Sequence, residues 1–271
     1  MRYCLPLPKN RNMDRRIEEF KRLLDIMDEL RAKCPWDKKQ TLESLRYLTI
    51  EETYELSDAI LENDLGEIRK ELGDIMLHLV FYAKIGQEKN AFDIADVLEG
   101  INEKLIRRHP HIFGDVKVAN EKDVKDNWEK IKMTEKGRKS VLSGVPKSMP
   151  AMVKAYRMQE KASGVGFDWD NIDQVWDKVE EEKLELQKDL ANGADHKKVE
   201  GEFGDLLFAL VNYARFLDIN PDDALEHTNK KFIRRFTYLE EKVREQGRIL
   251  HEMTLDEMEA IWQESKKTDP E

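Results

Sequence analysis

Glu182 and Glu185 stand three residues apart in the sequence, and so do Glu202 and Asp205. On a helix that spacing puts each pair on one face. If all four sat on one continuous helix, the two pairs would lie roughly 30 Å from each other. Asn192-Gly193-Ala194-Asp195 breaks such a helix, and it does so symmetrically. Glu182 and Glu185 precede Asn192 by ten and seven residues; Glu202 and Asp205 follow Asp195 by seven and ten. An antiparallel hairpin folded at this break brings the two pairs level. Glu52, Glu55, Glu71 and Asp74 are placed almost as symmetrically around a second break, Asn63-Asp64-Leu65-Gly66. Gly73 and Gly204, each next to an aspartate, are expected to let the paired helices approach closely.

Four carboxylates gathered in one place repel one another unless a cation binds between them. All-oxygen ligands suit a hard ion, Mg²⁺ or in its place Mn²⁺, better than zinc. A di-iron bundle would need Glu-x-x-His on two helices, and these motifs contain none. His78, four residues after Asp74, has Ala209 as its counterpart and reads as a packing residue. A lone Glu-Glu-x-x-Glu in a chain with 38% charged residues is ordinarily a solvated helix face. Here the pairs abut the most apolar segments, recur twice and flank both breaks.

Lys231, Arg234 and Arg235 share one helix face, as do Lys104, Arg107 and Arg108. Such a cluster is either solvated charge near a helix C-terminus or a clamp on phosphate oxygens, for which the planar arginine fork is suited. A carboxylate-held cation combined with a cationic clamp is what a triphosphate requires.

The elements that position these residues form one pattern written twice. The apolar runs Ile75 to Ala83 and Leu206 to Ala214 each follow Glu-x-Gly-Asp, and over fifteen residues from Glu71 and from Glu202 the copies share seven identities. Upstream of each lie Glu-Glu-x-x-Glu (from Glu51 and from Glu181) and, earlier, Trp-Asp at Trp36-Asp37 and Trp169-Asp170. Downstream comes Asn-x-Lys-x-Ile-Arg-Arg, at Asn102–Arg108 and Asn229–Arg235. Both apolar runs are expected at the centre of their bundles. The breakers collected between Gly137 and Pro150 read as a linker, giving units at 13–137 and 151–267 joined by 138–150. Thr254-Leu255-Asp256-Glu257 is a capping box, and Asn220-Pro221 a helix start. No alternating run demands a sheet, and with 13 Gly and 8 Pro in 271 residues the chain reads as all-α.

The formal net charge of −10 repels polyphosphate backbones and anionic membranes, so neither nucleic acid nor a membrane is expected as the partner. Cys4 and Cys34 have no metal-binding spacing and suit a reduced, cytoplasmic setting. No signal or membrane-spanning segment is legible; residues before Met13 look like a tail, and Met13 is a candidate start.

The chain resembles the MazG-type nucleoside triphosphate pyrophosphohydrolases within the all-α NTP pyrophosphatase group. The resemblance runs from about Met13 to Lys267 and rests on Cys34-Pro35-Trp36-Asp37, EETYE with ELGD, Arg107-Arg108-His109-Pro110-His111, Gly144-Val145-Pro146, Val165-Gly166-Phe167-Asp168-Trp169, and EEKLE with EFGD. It implies a homodimer that hydrolyses nucleoside triphosphates to monophosphate and pyrophosphate. The implied metal ligands are Glu182, Glu185, Glu202 and Asp205, with Glu52, Glu55, Glu71 and Asp74 in the first copy. The implied nucleotide contacts are Lys178, Val179, Glu180, Glu181, Lys231, Arg234, Arg235 and Trp262; Trp262 reads equally well as a core tryptophan. Glu181, or another uncoordinated carboxylate, is the expected proton acceptor. The second copy is the expected main catalytic unit: its capped Trp262 helix follows the motif, whereas the corresponding Trp128 helix runs straight into the linker. The first copy nevertheless departs from the motif at no acidic position. A metal-binding or storage bundle and a helical interaction scaffold, with the first unit as a dimerisation module, are the rival classes; the storage bundle has no need of a cationic clamp.

Overall fold

A computed structural model describes residues 14–120, 124, 127–128, 131 and 140–268. The tail before Met13, most of the helix expected around Trp128, and Gly137–Lys139 of the expected linker lie outside the described residues. Among the described residues every regular element is helical, as expected for an all-α chain, and no helix is long and apolar enough to cross a membrane. Contacts divide the chain into two compact units, Met1–Val116 and Lys117–Glu271.

In the first unit, α1 (Arg15–Lys33) packs on α3 (Leu65–Glu88), which forms a hairpin with α2 (Leu42–Leu61). Further on come α4 (Ile94–Arg108) and the single turn α5 (Pro110–Phe113). Side chains written into the sequence start these helices: Thr41 and Ser44 close a capping box on α2, Asp64 caps α3, and Asp93 with Asp96 boxes α4. The core is Met27, Leu45, Val80, Phe81 and Ile85.

The second unit holds α6 (Ala151–Ser163), the hairpin of α7 (Ile172–Ala191) and α8 (His196–Phe216), then α9 (Pro221–Glu245) and α10 (Leu255–Thr268). Asn220 caps α9 with Pro221 in its first turn, and Thr254 exchanges hydrogen bonds with Glu257 at the start of α10. Helix α6 packs on α8 and α9, and α10 lies on α9 around Leu239, Val243, Met253 and Ile261.

Both hairpins turn where the sequence places its breaks, and by the same device. Asn63 (φ 55°) and Gly193 (φ 65°) adopt the left-handed conformation. The amides that follow, Asp64 and Ala194, donate back to the carbonyls of Ala59 and Asp189, both at 3.0 Å. This is a Schellman closure, which satisfies the last carbonyls of one helix and points the chain into the next.

Two expectations need correction. A Cβ added at Gly73 or Gly204 would meet nothing within 4 Å, so these glycines do not set the helix separation. The apolar runs are also not covered all round. Val80, Phe81, Ala83 and Ile85 are buried on α3, and Ala209 and Val211 on α8. The stripes Leu72–Met76–Leu79 and Phe203–Leu207–Leu210 are between 41 and 53% exposed at every position. A hairpin has one inner face, and a helix apolar on both sides leaves the second for another surface.

Replacing Gly193 with Ala puts a β-carbon on a left-handed residue and should destabilise the protein by about 1 kcal/mol. Asn63→Gly, at the equivalent turn, should change stability by only a few tenths of a kcal/mol. Urea unfolding of both variants checks this.

Candidate metal centre

Each hairpin sets its acids face to face. In the first unit, carboxylate oxygens of Glu52 and Glu55 on α2 and of Glu71 on α3 all lie within 4.8 Å of one another. In the second, Glu182 and Glu185 on α7 and Glu202 on α8 do the same. Asp74 and Asp205 stand just outside these triads but within electrostatic reach, raising the pKa of Glu52 and Glu202 respectively. All eight acids singled out in the sequence are therefore gathered into two sites, six of them in the close triads.

The electrostatics are those of a crowded anion cluster. Burial, then Asp74, Glu55, Glu71 and Glu51, push the Glu52 carboxyl above the ordinary carboxylate range. Burial, then Glu71 and Glu51, do the same to Glu55. Glu202 is raised by burial, by Asp189 and by Glu185, against the pull of Lys198. Glu71 is only 3% exposed, and its Oε2 is buried without a hydrogen-bond partner. A buried carboxylate oxygen left orphaned among like charges is costly, and a cation removes both penalties at once. The donor set therefore fits a metal ion.

The two sites differ in their cations. In the second, Lys178 Nζ bridges Glu181 at 2.9 Å and Glu182 at 2.8 Å, and these hydrogen bonds, Glu182's first, raise its pKa. The register of the two copies puts Leu48 where the second unit has Lys178. The first site has Lys70, 3.4 Å from Glu71.

Glu181 is thus an exposed, ion-paired carboxylate, and Glu180 pairs with Lys183 at 2.9 Å. Val179 is only 3% exposed, so its side chain faces the core and not the site. Lys231 and Arg234 are exposed and Arg235 half-buried on α9. Trp262 stacks at a tilt on Phe232, with ring centroids 5.2 Å apart. His78 is buried, and desolvation lowers its pKa despite nearby Asp74, in keeping with a packing residue.

Sequence reading missed Asp189 and Lys198. Asp189 is buried on α7, held by Lys198 Nζ at 2.7 Å, and its charge raises Glu202. The signal was present: Asp189 follows Glu185 by four residues and Lys198 precedes Glu202 by four, each one helical turn away.

Comparison with known proteins matches the MazG nucleotide pyrophosphohydrolase domain twice, at residues 40–113 and 172–239. Together these segments span half of the chain and contain all eight acids. The chain belongs to the MazG family. A MazG relative from Thermotoga maritima, named nucleoside triphosphate pyrophosphohydrolase/pyrophosphatase, is 44% identical over 92% of this chain and 96% of its own. The Escherichia coli K12 nucleoside triphosphate pyrophosphohydrolase is 42% identical over 93% and 98%. YabN of Bacillus subtilis is 48% identical over 93% of this chain, which spans about half of YabN's length (52%). Trp262 lies outside both MazG segments.

Because the raised pKa of Glu55 makes its ionised form the unfavourable one, Glu55→Gln should stabilise the metal-free protein. The gain should be absent where the carboxyl is protonated in both folded and unfolded states. It should grow as pH rises past the ordinary carboxylate range and level off above the raised folded value. Thermal melting of parent and variant in EDTA from pH 4 to 8 reads this. A constant difference across that range contradicts the electrostatic account.

Proposed function

We propose that this chain hydrolyses nucleoside triphosphates, deoxy forms included, to the monophosphate and pyrophosphate. The observation that carries the reading is the carboxylate triad built twice on MazG-family hairpins, with relatives bearing this activity in their names along almost the whole chain. Glu182, Glu185, Glu202 and Asp205 would hold Mg²⁺, or Mn²⁺ in its place, and Glu52, Glu55, Glu71 and Asp74 an equivalent ion. A divalent cation held there supplies positive charge to phosphate oxygens and acidifies water.

The protein's own groups do the rest. Lys178 sits between two carboxylates, ready to exchange one of them for a phosphate oxygen. Its departure frees Glu181 to accept a proton from the attacking water. Lys231, Arg234 and Arg235 offset charge on the departing pyrophosphate, and Trp262 with the Lys178–Glu181 turn completes the nucleotide contacts. The second unit carries most of the turnover, because Lys178 has only Leu48 as its counterpart in the first. The exposed stripes Leu72–Met76–Leu79 and Phe203–Leu207–Leu210 suit a homodimer.

Purified protein with ATP and Mg²⁺ should release AMP and pyrophosphate, fall silent in EDTA and recover with Mg²⁺ or Mn²⁺. ADP with orthophosphate as the main product would overturn the assignment. Glu185→Ala should cut steady-state pyrophosphate release by about a hundredfold or more, since even residues supporting metal ligands are worth roughly 10–100-fold. Glu55→Ala should keep more than half of it; a larger loss at unchanged melting temperature would make both units catalytic. Leu207→Lys should shift sedimentation velocity from dimer toward monomer, and an unchanged profile would remove Leu207 from the interface.

A further inference from the structure

Lys178 and Lys70 show where a lysine beside a triad comes to rest. Lys178 Nζ lies 2.8 Å from Glu182, and Lys70 Nζ lies 3.4 Å from Glu71. Lys198 behaves differently. It precedes Glu202 by four residues on α8, the spacing at which a lysine and a glutamate share one helix face. Its Nζ nevertheless lies 2.7 Å from Asp189 on the other arm of the hairpin, and its ion pair is with that residue and not with Glu202.

Burial decides between the two carboxylates. Asp189 is 7% exposed, whereas Glu202 is half-buried. Taking the cation away from a buried carboxylate costs several times what a more exposed pair returns, so the lysine stays with Asp189. The turn fixes both ends of this pair. The Asp189 carbonyl accepts from the Ala194 amide in the Schellman closure, and Asp195 Oδ1 accepts from the Lys198 amide at 3.0 Å. Asp189 therefore stands in the last turn of α7 and Lys198 in the first turn of α8, with the short loop setting their separation.

The first unit lacks both partners together. In the register of the two copies, Ala59 takes the place of Asp189 and Glu67 the place of Lys198. No lysine stands one turn ahead of Glu71, and no buried acid stands across the hairpin to hold one. The two residues read as one device, present in one copy and absent as a pair from the other.

We propose that Asp189 is a positioning residue of the second metal centre: it draws Lys198 off Glu202 and so leaves that carboxylate free for the divalent cation. The proposal rests on the reading of the triad as a metal site, and adds to it a residue that acts on the cation through Lys198. Without Asp189, the Lys198 ammonium is one helical turn from Glu202 with nothing to hold it, and it competes with the cation for the same oxygens.

The test is Mn²⁺ binding to the full chain, read from the electron paramagnetic resonance signal of the free ion. Glu52→Gln and Glu55→Gln are present throughout, so that the second triad is the site observed. Asp189→Asn should weaken Mn²⁺ binding about fivefold, the upper worth of an exposed lysine–glutamate pair. Adding Lys198→Gln should recover that loss, and its gain there should exceed its effect beside an intact Asp189 by at least about threefold. Equal effects in the two backgrounds overturn the proposal, because charge alone then accounts for both residues. An Asp189→Asn variant that melts earlier but binds Mn²⁺ as before also overturns it, and leaves the pair a structural one. Should Asp189→Asn fail to melt cooperatively, Asp189→Ala, which reproduces Ala59, takes its place in the same cycle. Glu185→Gln separates the proposal from the reading beneath it. Mn²⁺ binding that is lost in Glu185→Gln but shows no coupling between Asp189 and Lys198 sinks the positioning role alone. Mn²⁺ binding that Glu185→Gln leaves intact removes the metal centre and the proposal with it.

Discussion

Everything at the candidate centre follows from forcing like charges together on a helical hairpin. Three carboxylates per unit sit with oxygens within 4.8 Å, and burial together with neighbouring acids raises the pKa of Glu52, Glu55 and Glu202. A fold does not gather such groups for stability, because each unpaired buried charge is a cost. What holds them there is the rest of the hairpin: the Schellman turns at Asn63 and Gly193, the caps at Asp64 and Asp195, and the apolar contacts of each helix pair. The cluster is strain that a bound cation would relieve, so any metal binding there would be coupled to stability.

The duplication lets the two copies be compared position by position within one chain. Their acids are the same, so the capacity to hold a cation is common to both. The surroundings diverge. Lys178 stands against Leu48, Asp189 against Ala59, and Asn212 against Phe81. Each change places a polar or charged group in the second unit where the first has an apolar one, and Ala59 and Phe81 are buried in the first unit. The first unit uses these positions for packing; in the second they carry the ion pairs of Lys178 and Asp189 and the hydrogen bonds from Arg215 to Asn212.

The apolar stripes on α3 and α8 bear on the same point. Leu72, Met76 and Leu79 occupy the same register as Phe203, Leu207 and Leu210, and all six remain substantially exposed within their own units. Their spacing of four and three residues gives each helix a second apolar face. Contiguous apolar surface of this kind, in a chain with 38% charged residues, is the sort that marks a contact with another surface.

The sequence by itself determined the helical class, the duplication, the hairpin turns and the pairing of the acids. Those features depend on short-range periodicity and on capping chemistry, which a linear reading can follow. It also pointed to the MazG family, because the motifs lie in contiguous stretches. Tertiary structure alone decided how the sites differ. That Lys178 bridges Glu181 and Glu182, that Asp189 is buried against Lys198, and that Val179 faces the core depend on side-chain direction and burial, which spacing does not specify. The glycines beside Asp74 and Asp205 looked like points of close helix approach, and only packing revealed open space around them. Gln159 had no motif to mark it. Its amide donates to the Phe208 carbonyl on α8, a contact between two elements in space that no one-dimensional pattern contains.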